Sequence, residues 1–280
     1  MSSTTVSLPS AERAAELRES LKEVRARVSA AQAQSPTHER VAPAATLVAV
    51  SKLKPAADIL ACYEDGQRDF GENYVQELEE KAAQLPLPDI RWHFIGTFQS
   101  NKAKTLAAIP NLYAVQTVTS EKGAAGLNKY IAADRPPLNV LLQVNTSGEA
   151  AKSGLPPLDA ARDAAGAELT QLARFVVEQC PRLRLQGLMT IGALEASLAA
   201  AAARPNADFE RLVATRDLLQ AALAAAFPGE ARWGVEGRLV LSMGMSSDFE
   251  AALVAGSDIV RVGTGIFGSR PKKGEAAPAS

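Results

Sequence analysis

The sequence predicts an α/β protein, a single (β/α)8 barrel of the TIM type with an extra N-terminal helix. Eight short, largely apolar runs alternate with helical patterns along the 280-residue chain. Strands separated by helices form right-handed parallel crossovers, and eight such units are the number that closes a barrel. A doubly wound open sheet accepts the same alternation, but the number of units favours the barrel.

The predicted elements alternate regularly from residue 11 to residue 270, beginning with the extra helix at 11–33. The predicted strands are TLVAVSK (46–52), RDFGE (68–72), RWHFIG (91–96), LYAVQTV (112–118), LNVLLQVN (138–145), LRLQGLMTI (183–191), RLVLSMG (238–244) and DIVRVGTG (258–265). The helices that follow them are predicted at 57–66, 74–84, 100–109, 120–133, a segment ending near 180, 208–227, 248–255 and 266–270. Long segments at 146–168 and 195–206 follow the fifth and sixth strands, and we expect surface insertions there rather than a lid.

Composition limits the domain organisation and the partners. A hydrophobic content of 47% supports one large core. We therefore predict one domain at 11–270, between a disordered N-terminus at 1–10 and a flexible tail at 271–280. The formal charge of -1 gives no overall field to attract nucleic acid or an acidic membrane. Two distant cysteines and the lack of a signal peptide or a long apolar run predict a cytoplasmic protein.

The sequence also lacks the patterns of several enzyme classes. It has no Ser-His-Asp order, no Cys/His cluster with metal-ligand spacing and no Walker sequence. We predict no metal site and no catalytic residue of these kinds. His93 lies within a predicted strand, where a hydrogen-bonded core histidine is a better interpretation than a catalytic one.

Lys52 is the first candidate site residue. It continues the strand face that carries Val48 and Val50, so in a barrel it would lie at the mouth, where the strands end. An amine among apolar side chains is costly to charge, and a neutral amine is the nucleophile of a Schiff-base lysine. A lysine that merely extends from the strand end into water remains the alternative.

The last two units supply candidates for binding an anion. Gly263, Thr264 and Gly265 follow an apolar strand and open a short helical turn, where backbone N–H groups converge. The loops after strands seven and eight commonly form the phosphate site of such barrels. Ser242 lies on the seventh strand and is placed to reach a ligand. Ser246 or Ser247 is a natural N-cap for the next helix.

Arg261 lies within the apolar eighth strand, two residues before the glycine turn. A buried guanidinium needs either a carboxylate or a ligand acceptor, and the sequence leaves both open. In a closed barrel, strand eight lies beside strand one, which would bring Arg261 and the turn next to Lys52. An amine, an anion cradle and an arginine together suit a phosphorylated aldehyde such as pyridoxal phosphate. Asn73, at the end of the second strand, is a further candidate for the mouth.

Several long motifs resemble one known family. AVSKLKP, FGENYVQE, WHFIGTFQSNKAK, GLMTIG, LSMGMSSDFEAA and VRVGTGIFG, in this order between residues 47 and 270, strongly resemble the pyridoxal phosphate homeostasis protein family, also described as the YggS/PROSC family. The family's fold is similar to the barrel domain of bacterial alanine racemases. The departures are small: Phe98 stands where a smaller aliphatic residue is common, and the two insertions are longer and richer in alanine.

The resemblance implies a cofactor and a role for each matching residue. Lys52 matches the lysine that forms the Schiff base with pyridoxal 5'-phosphate, and Lys54 matches the second lysine of that motif. Arg261 matches the arginine that faces the pyridine nitrogen. The likely phosphate binders are matched by Gly263, Thr264 and Ser242.

Two functions from different classes follow from this resemblance. One is a non-catalytic carrier that holds the cofactor for buffering or for delivery to apo-enzymes; the other is an amino-acid racemase. Racemisation needs an acid/base group on each face of the substrate, and racemases of this fold type take one from a β-domain after the barrel. Only ten residues follow Arg270, so we expect a carrier rather than a racemase. We also expect the carrier to be a monomer. A barrel that binds another phosphorylated metabolite is the third possibility.

Overall fold

The computed structural model of the protein describes residues 6–35, 44–159, 166–192, 206–229 and 232–269. Eight parallel strands close into a barrel in their sequence order, and the last strand pairs with the first. The strands are β1 (Thr46–Val50), β2 (Asp69–Glu72), β3 (Arg91–Phe94), β4 (Leu112–Val118), β5 (Leu138–Gln143), β6 (Leu183–Met189), β7 (Val240–Met245) and β8 (Ile259–Val262). The predicted (β/α)8 architecture is confirmed.

Helices surround the barrel and pack their apolar faces against it. They are α1 (Ala11–Ala33), α2 (Ala56–Glu64), α3 (Val75–Gln84), α4 (Ala103–Ala108), α5 (Glu121–Tyr130), α6 (Glu168–Gln179), α7 (Ala207–Ala226), α8 (Phe249–Val254) and α9 (Thr264–Phe267), with a 3-10 turn at Ser100–Lys102 before α4. The extra N-terminal helix is confirmed as α1. Its buried face includes Leu17, Leu21 and Val24, and it contacts α2, α8 and α9.

Strand register determines which side chains point into the barrel. Paired residues of neighbouring parallel strands share a face. Val48 pairs with Arg261, and Ser242 pairs with Ile259. A small apolar cluster that includes Val48 and Ile259 is separate from the large core between strands and helices. Arg261 and Ser242 therefore lie on the face of the sheet that carries this inner cluster.

The structure corrects two local predictions. β1 ends at Val50, so Lys52 lies in a turn after the strand rather than on it. The turn is closed by a hydrogen bond from the Lys54 amide to the Ser51 carbonyl oxygen, 3.0 Å long. The N-cap of α8 is Asp248, not Ser246 or Ser247, because Asp248 ends the preceding turn and its carboxylate accepts from the amide of Met245.

Four parts of the sequence prediction fall wholly or partly outside the described residues. The tail at 271–280 and nearly all of the segment at 195–206 are outside them, as are residues 160–165 of the segment at 146–168 and residues 1–5. The described start of the first insertion packs on the barrel, because the Asn145 amide donates to the Leu155 carbonyl oxygen. Among the described helices, none has the length and apolarity to cross a membrane.

Candidate functional site

The turn after β1 brings Lys52 to the rim where the parallel strands end. Lys52 is partly exposed there, and the next residue, Leu53, has a φ of 59°. A left-handed backbone is unfavourable for leucine and persists only where neighbours hold it. The Leu53 amide donates to Glu77 Oε1 at 2.6 Å, which supplies that restraint. The conformation of the lysine turn is thus fixed by a side chain of α3.

Glu77 belongs to a buried charge cluster beneath this turn. The ammonium of Lys81 donates to Glu77 Oε1 at 2.6 Å, to Glu72 Oε1 at 2.7 Å and to the carbonyl oxygen of Ser51 at 2.8 Å. The Ser51 hydroxyl also donates to Glu72. Burial raises the pKa of Glu72, although the charge and hydrogen bond of Lys81 oppose this rise. One lysine therefore ties the end of β1 to β2 and α3.

Asn73 directly follows β2, as the sequence predicts for a residue at the mouth. Its backbone is packed tightly against Gly96, where an added Cβ would lie 1.8 Å from the Asn73 carbonyl oxygen. Its side-chain oxygen is buried and has no hydrogen-bond partner among the described residues. Such an atom is costly unless a ligand or water satisfies it.

Arg261 is buried on β8, with 4% of its surface exposed. Its guanidinium donates to Ser242 Oγ at 2.6 Å and to the Thr190 carbonyl oxygen at 2.7 Å. Both of these acceptors are neutral oxygens. Burial lowers the pKa of Arg261 to about 10, while the charge of Asp248 opposes this shift. Arg261 therefore keeps its positive charge at neutral pH.

Ser242 is fully buried on β7 and is already engaged on two sides. Its hydroxyl accepts from Arg261 and donates to Gln116 Oε1 at 2.7 Å. The structure thus brings two predicted site residues, Ser242 and Arg261, into direct contact. The phosphate role of Ser242 stays a prediction.

The glycine turn after β8 lies against the end of β1. A Cβ at Gly263 would lie 3.2 Å from the Val50 carbonyl oxygen, so only glycine fits there without displacement. Ser246 Oγ accepts from the Gly263 amide at 3.1 Å and fixes the turn from the β7 side. Thr264 begins α9, whose first amides have no acceptor within the helix. The turn therefore lies beside the strand that leads to Lys52.

The side chains of Lys54 and His93 are hydrogen-bonded to other parts of the protein. The ammonium of Lys54 donates to the carbonyl oxygens of Phe267 and Ser269, each at 2.9 Å, and so joins the β1 turn to the end of α9.

His93 is fully buried and hydrogen-bonded to Asp69 and Gln116, as predicted for a core histidine. In the described part of the chain, no cluster of potential metal ligands is present.

Sequence analysis missed Glu77, Gln116 and Thr190. The only signal for Gln116 was one amide within the otherwise apolar run LYAVQTV. Glu77 and Thr190 lie within the motifs FGENYVQE and GLMTIG, but the resemblance implied no role for either residue. Glu77 acts on the backbone of a turn in another element, and Thr190 acts through its own backbone, so neither side chain type indicates the contact.

The closed parallel barrel defines the class of protein, a (β/α)8 barrel with a polar mouth. The family model described as "Alanine racemase, N-terminal domain" matches residues 20–271. The relatives identify the particular family. The chain is 44% identical over 230 residues to the pyridoxal phosphate homeostasis protein of Bos taurus, covering 80% of this chain and 77% of that one. It is 44% identical over 234 residues to the protein of the same name from Pseudomonas aeruginosa, covering 84% and 87%.

A solved structure agrees with these relatives. PipY of Synechococcus elongatus, solved with pyridoxal phosphate bound, is 30% identical and aligns with a TM-score of 0.65 over 90% of this chain and 100% of its own. The chain belongs to the pyridoxal phosphate homeostasis protein family. The resemblance seen in the sequence motifs is confirmed.

Proposed function

We propose that this protein binds pyridoxal 5'-phosphate reversibly and serves vitamin B6 homeostasis by buffering or delivering it, without robust catalysis. The observation that carries the proposal is the buried, charged guanidinium of Arg261, whose described hydrogen bonds go only to neutral oxygens. Buried charges need a partner, and a ligand acceptor at the mouth would supply one. The curated names of the relatives and the pyridoxal phosphate bound to PipY support this ligand.

The residues of the mouth fit this cofactor. The Asn73 side-chain oxygen is buried and lacks a partner among the described residues, so it suits a ligand hydrogen bond. Gly263 allows close backbone approach where a Cβ would crowd Val50, and the amides that follow suit a phosphate. Lys52 brings a primary amine to the same rim. These groups match the aldehyde, the ring and the phosphate of the cofactor.

Each residue then has a distinct role. Lys52 is the proposed Schiff-base residue, because bound pyridoxal phosphate supplies an aldehyde that condenses reversibly with a primary amine. Gly263 and Thr264 bind the phosphate. Ser242 lies beside them in the proposed site and accepts from the Arg261 guanidinium. Arg261 keeps its proton and would donate a hydrogen bond to the ring nitrogen of a bound cofactor. A ring nitrogen that accepts from a guanidinium would remain unprotonated, which would make the ring a weak electron sink and favour holding over catalysis.

The visible spectrum and a borohydride experiment test the site. We expect a yellow protein whose absorbance is lost on reduction, with the pyridoxyl mass mapped to Lys52. Lys52→Ala is expected to abolish the adduct. Lys54→Ala is the matched control, because the Lys54 ammonium is held by two backbone carbonyls, and it is expected to retain the adduct. A protein that stays colourless and unmodified in excess cofactor would overturn the proposal and favour another phosphorylated ligand.

A racemase is the second candidate, because the matching family model is described by alanine racemase. Incubation of the loaded protein with single enantiomers of several amino acids, followed by chiral chromatography, separates the two. We expect no sustained racemisation, together with transfer of the cofactor to an added apo-enzyme. Sustained turnover that Lys52→Ala abolishes would show that the protein is an enzyme rather than a carrier.

We also propose that the protein acts as a monomer in the cytoplasm.

A further inference from the structure

A continuous chain of hydrogen bonds crosses the interior of the barrel. From Ser242, which holds Arg261, it passes to Gln116 Oε1 at 2.7 Å. Gln116 Nε2 lies 3.0 Å from His93 Nδ1, and His93 Nε2 lies 2.9 Å from Asp69 Oδ1. This hydrogen-bond chain links side chains of strands β8, β7, β4, β3 and β2.

The two ends of this chain have opposite hydrogen-bonding character. A guanidinium only donates, so Arg261 must be the donor to Ser242. Burial would raise the pKa of Asp69, but hydrogen bonds from Arg91 and His93 outweigh it and hold that pKa at about 2. Asp69 is therefore ionised at neutral pH and only accepts. The hydrogens along the chain are constrained from both ends.

For a neutral His93 ring, the two ends leave one arrangement that uses every contact. Ser242 accepts from Arg261 and gives its hydrogen to the Gln116 oxygen. The Gln116 amide nitrogen then donates to His93 Nδ1, which must carry no hydrogen. The ring hydrogen lies on Nε2 and is donated to Asp69. Each hydrogen bond thus fixes the direction of the next.

We propose that Gln116 and His93 are positioning residues for Arg261. The Gln116 oxygen accepts the Ser242 hydrogen and so fixes the rotation of that hydroxyl, which keeps a lone pair of Ser242 Oγ directed at the guanidinium. The guanidinium is then held in one orientation by Ser242 and by the Thr190 carbonyl oxygen. The consequence for the ring nitrogen of pyridoxal phosphate rests on the proposed function, whereas the hydrogen arrangement does not.

The other charged and aromatic groups around His93 agree with this assignment. Arg91 on the same strand binds both oxygens of Asp69, at 2.7 and 2.5 Å, and so fixes the carboxylate that faces the ring. Tyr113 on β4 packs a tilted ring 5.2 Å from that of His93. Within the described residues, Asp69 is the carboxylate that pairs with the imidazole. The Nδ1 side of the ring therefore meets an amide, not an acid.

Nitrogen NMR of the ring tests the chain directly. The sequence has two histidines, so His38→Gln leaves His93 as the single ring in a 15N-histidine-labelled protein. We expect a hydrogen on Nε2 and none on Nδ1 in the protein without added ligand. In the same background, Gln116→Glu places a group that only accepts beside Nδ1, and we expect it to make His93 doubly protonated. A hydrogen on Nδ1 in the parent protein, or a singly protonated ring beside the introduced carboxylate, would overturn the arrangement.

Ligand affinity tests the positioning role. Gln116→Leu removes the acceptor of the Ser242 hydrogen, and we expect pyridoxal phosphate to bind about tenfold more weakly, the equivalent of one lost buried hydrogen bond. Gln116→Glu keeps that acceptor and is expected to recover part of the loss. Gln186→Leu is the matched control, because Gln186 is a strand glutamine, 9% exposed, outside the chain. Equal affinity in Gln116→Leu and Gln186→Leu would overturn the positioning role. If the parent protein bound no pyridoxal phosphate, the proposed function would fail, and the ring spectra would still decide the hydrogen-bond chain.

Discussion

At the scale of single residues, Asp69 shows how a buried carboxylate is kept ionised inside the barrel. Only 6% of its surface is exposed, yet it faces two donors, Arg91 and His93. A carboxyl whose pKa is lower in the folded state binds fewer protons there than in the unfolded chain. Asp69 therefore stabilises the fold above its ordinary pKa of 3.8, and this contribution is lost as the pH falls toward about 2.

Asp69→Asn tests this linkage. At neutral pH the pKa shift of Asp69 corresponds to a stabilisation of roughly 2 kcal/mol. We expect the difference in unfolding free energy between the parent and Asp69→Asn to be largest above about pH 5 and to shrink by that amount as the pH falls toward 2. Urea titrations at a series of pH values measure it, with the exposed Asp134→Asn as control. A difference that stays constant with pH would contradict the assignment.

The residues differ in how far sequence alone could predict them. Lys52, Arg261 and Gly263 lie in apolar strands or within two residues of their ends, and strand alternation with barrel closure predicts that their positions lie close together. Gln116 is different, because its partner Ser242 is 126 residues away on a strand across the barrel. Such a pair depends on side-chain directions in the closed barrel, which no local pattern specifies.

At the scale of elements, the turn between β1 and α2 depends on α3. Lys81 is buried, with 6% of its surface exposed, and its ammonium joins Ser51, Glu72 and Glu77. Glu77 in turn accepts from the Leu53 amide. The strand and helix order could be predicted because apolar periodicity is local. The end of β1 was misplaced by two residues, because the restraint on the turn comes from a carboxylate on another helix.

Lys81→Met tests the importance of this cluster. Removing one partner of a buried ion pair leaves an uncompensated charge, so we expect a loss of about 3–5 kcal/mol at neutral pH. The raised pKa of Glu72 means that its protonation favours the folded state, so part of the loss should be recovered as the pH is lowered. Urea unfolding measures both effects. The exposed Lys104→Met is the control, and adding Glu72→Gln to Lys81→Met should restore stability; a double variant no better than the single one would argue against this account.

At the scale of the whole molecule, α1 packs beside the short described helix that follows β8. The helix after β8 has only four residues, Thr264–Phe267, too short to cover β8 and β1. α1 packs against α2, α8 and α9 instead. Arg13 joins Asp58 on α2 to the Phe267 carbonyl oxygen, and Arg27 pairs with Glu250 on α8. The sequence predicted this helix but not its place, because no pattern within it identifies the surface that it covers.

We therefore expect α1 to be an integral part of the barrel fold rather than an appendage. Leu21 is fully buried on its inner face, so Leu21→Ala should lower the unfolding free energy by about 2–5 kcal/mol. Glu19→Ala, on the exposed face, is the control and should change it by less than about 0.5 kcal/mol. Arg27→Met should cost less than Leu21→Ala, because its pair with Glu250 is half-exposed. α1 also contacts α9 beside the glycine turn. Leu21 itself is a packing residue of the core, so Leu21→Ala should weaken pyridoxal phosphate binding only as far as it unfolds the protein. A variant that lost stability without losing cooperativity, and bound the cofactor normally below its unfolding transition, would fit this role. An unchanged unfolding midpoint would show that the buried face of α1 contributes little to the stability of the barrel, which would contradict this expectation.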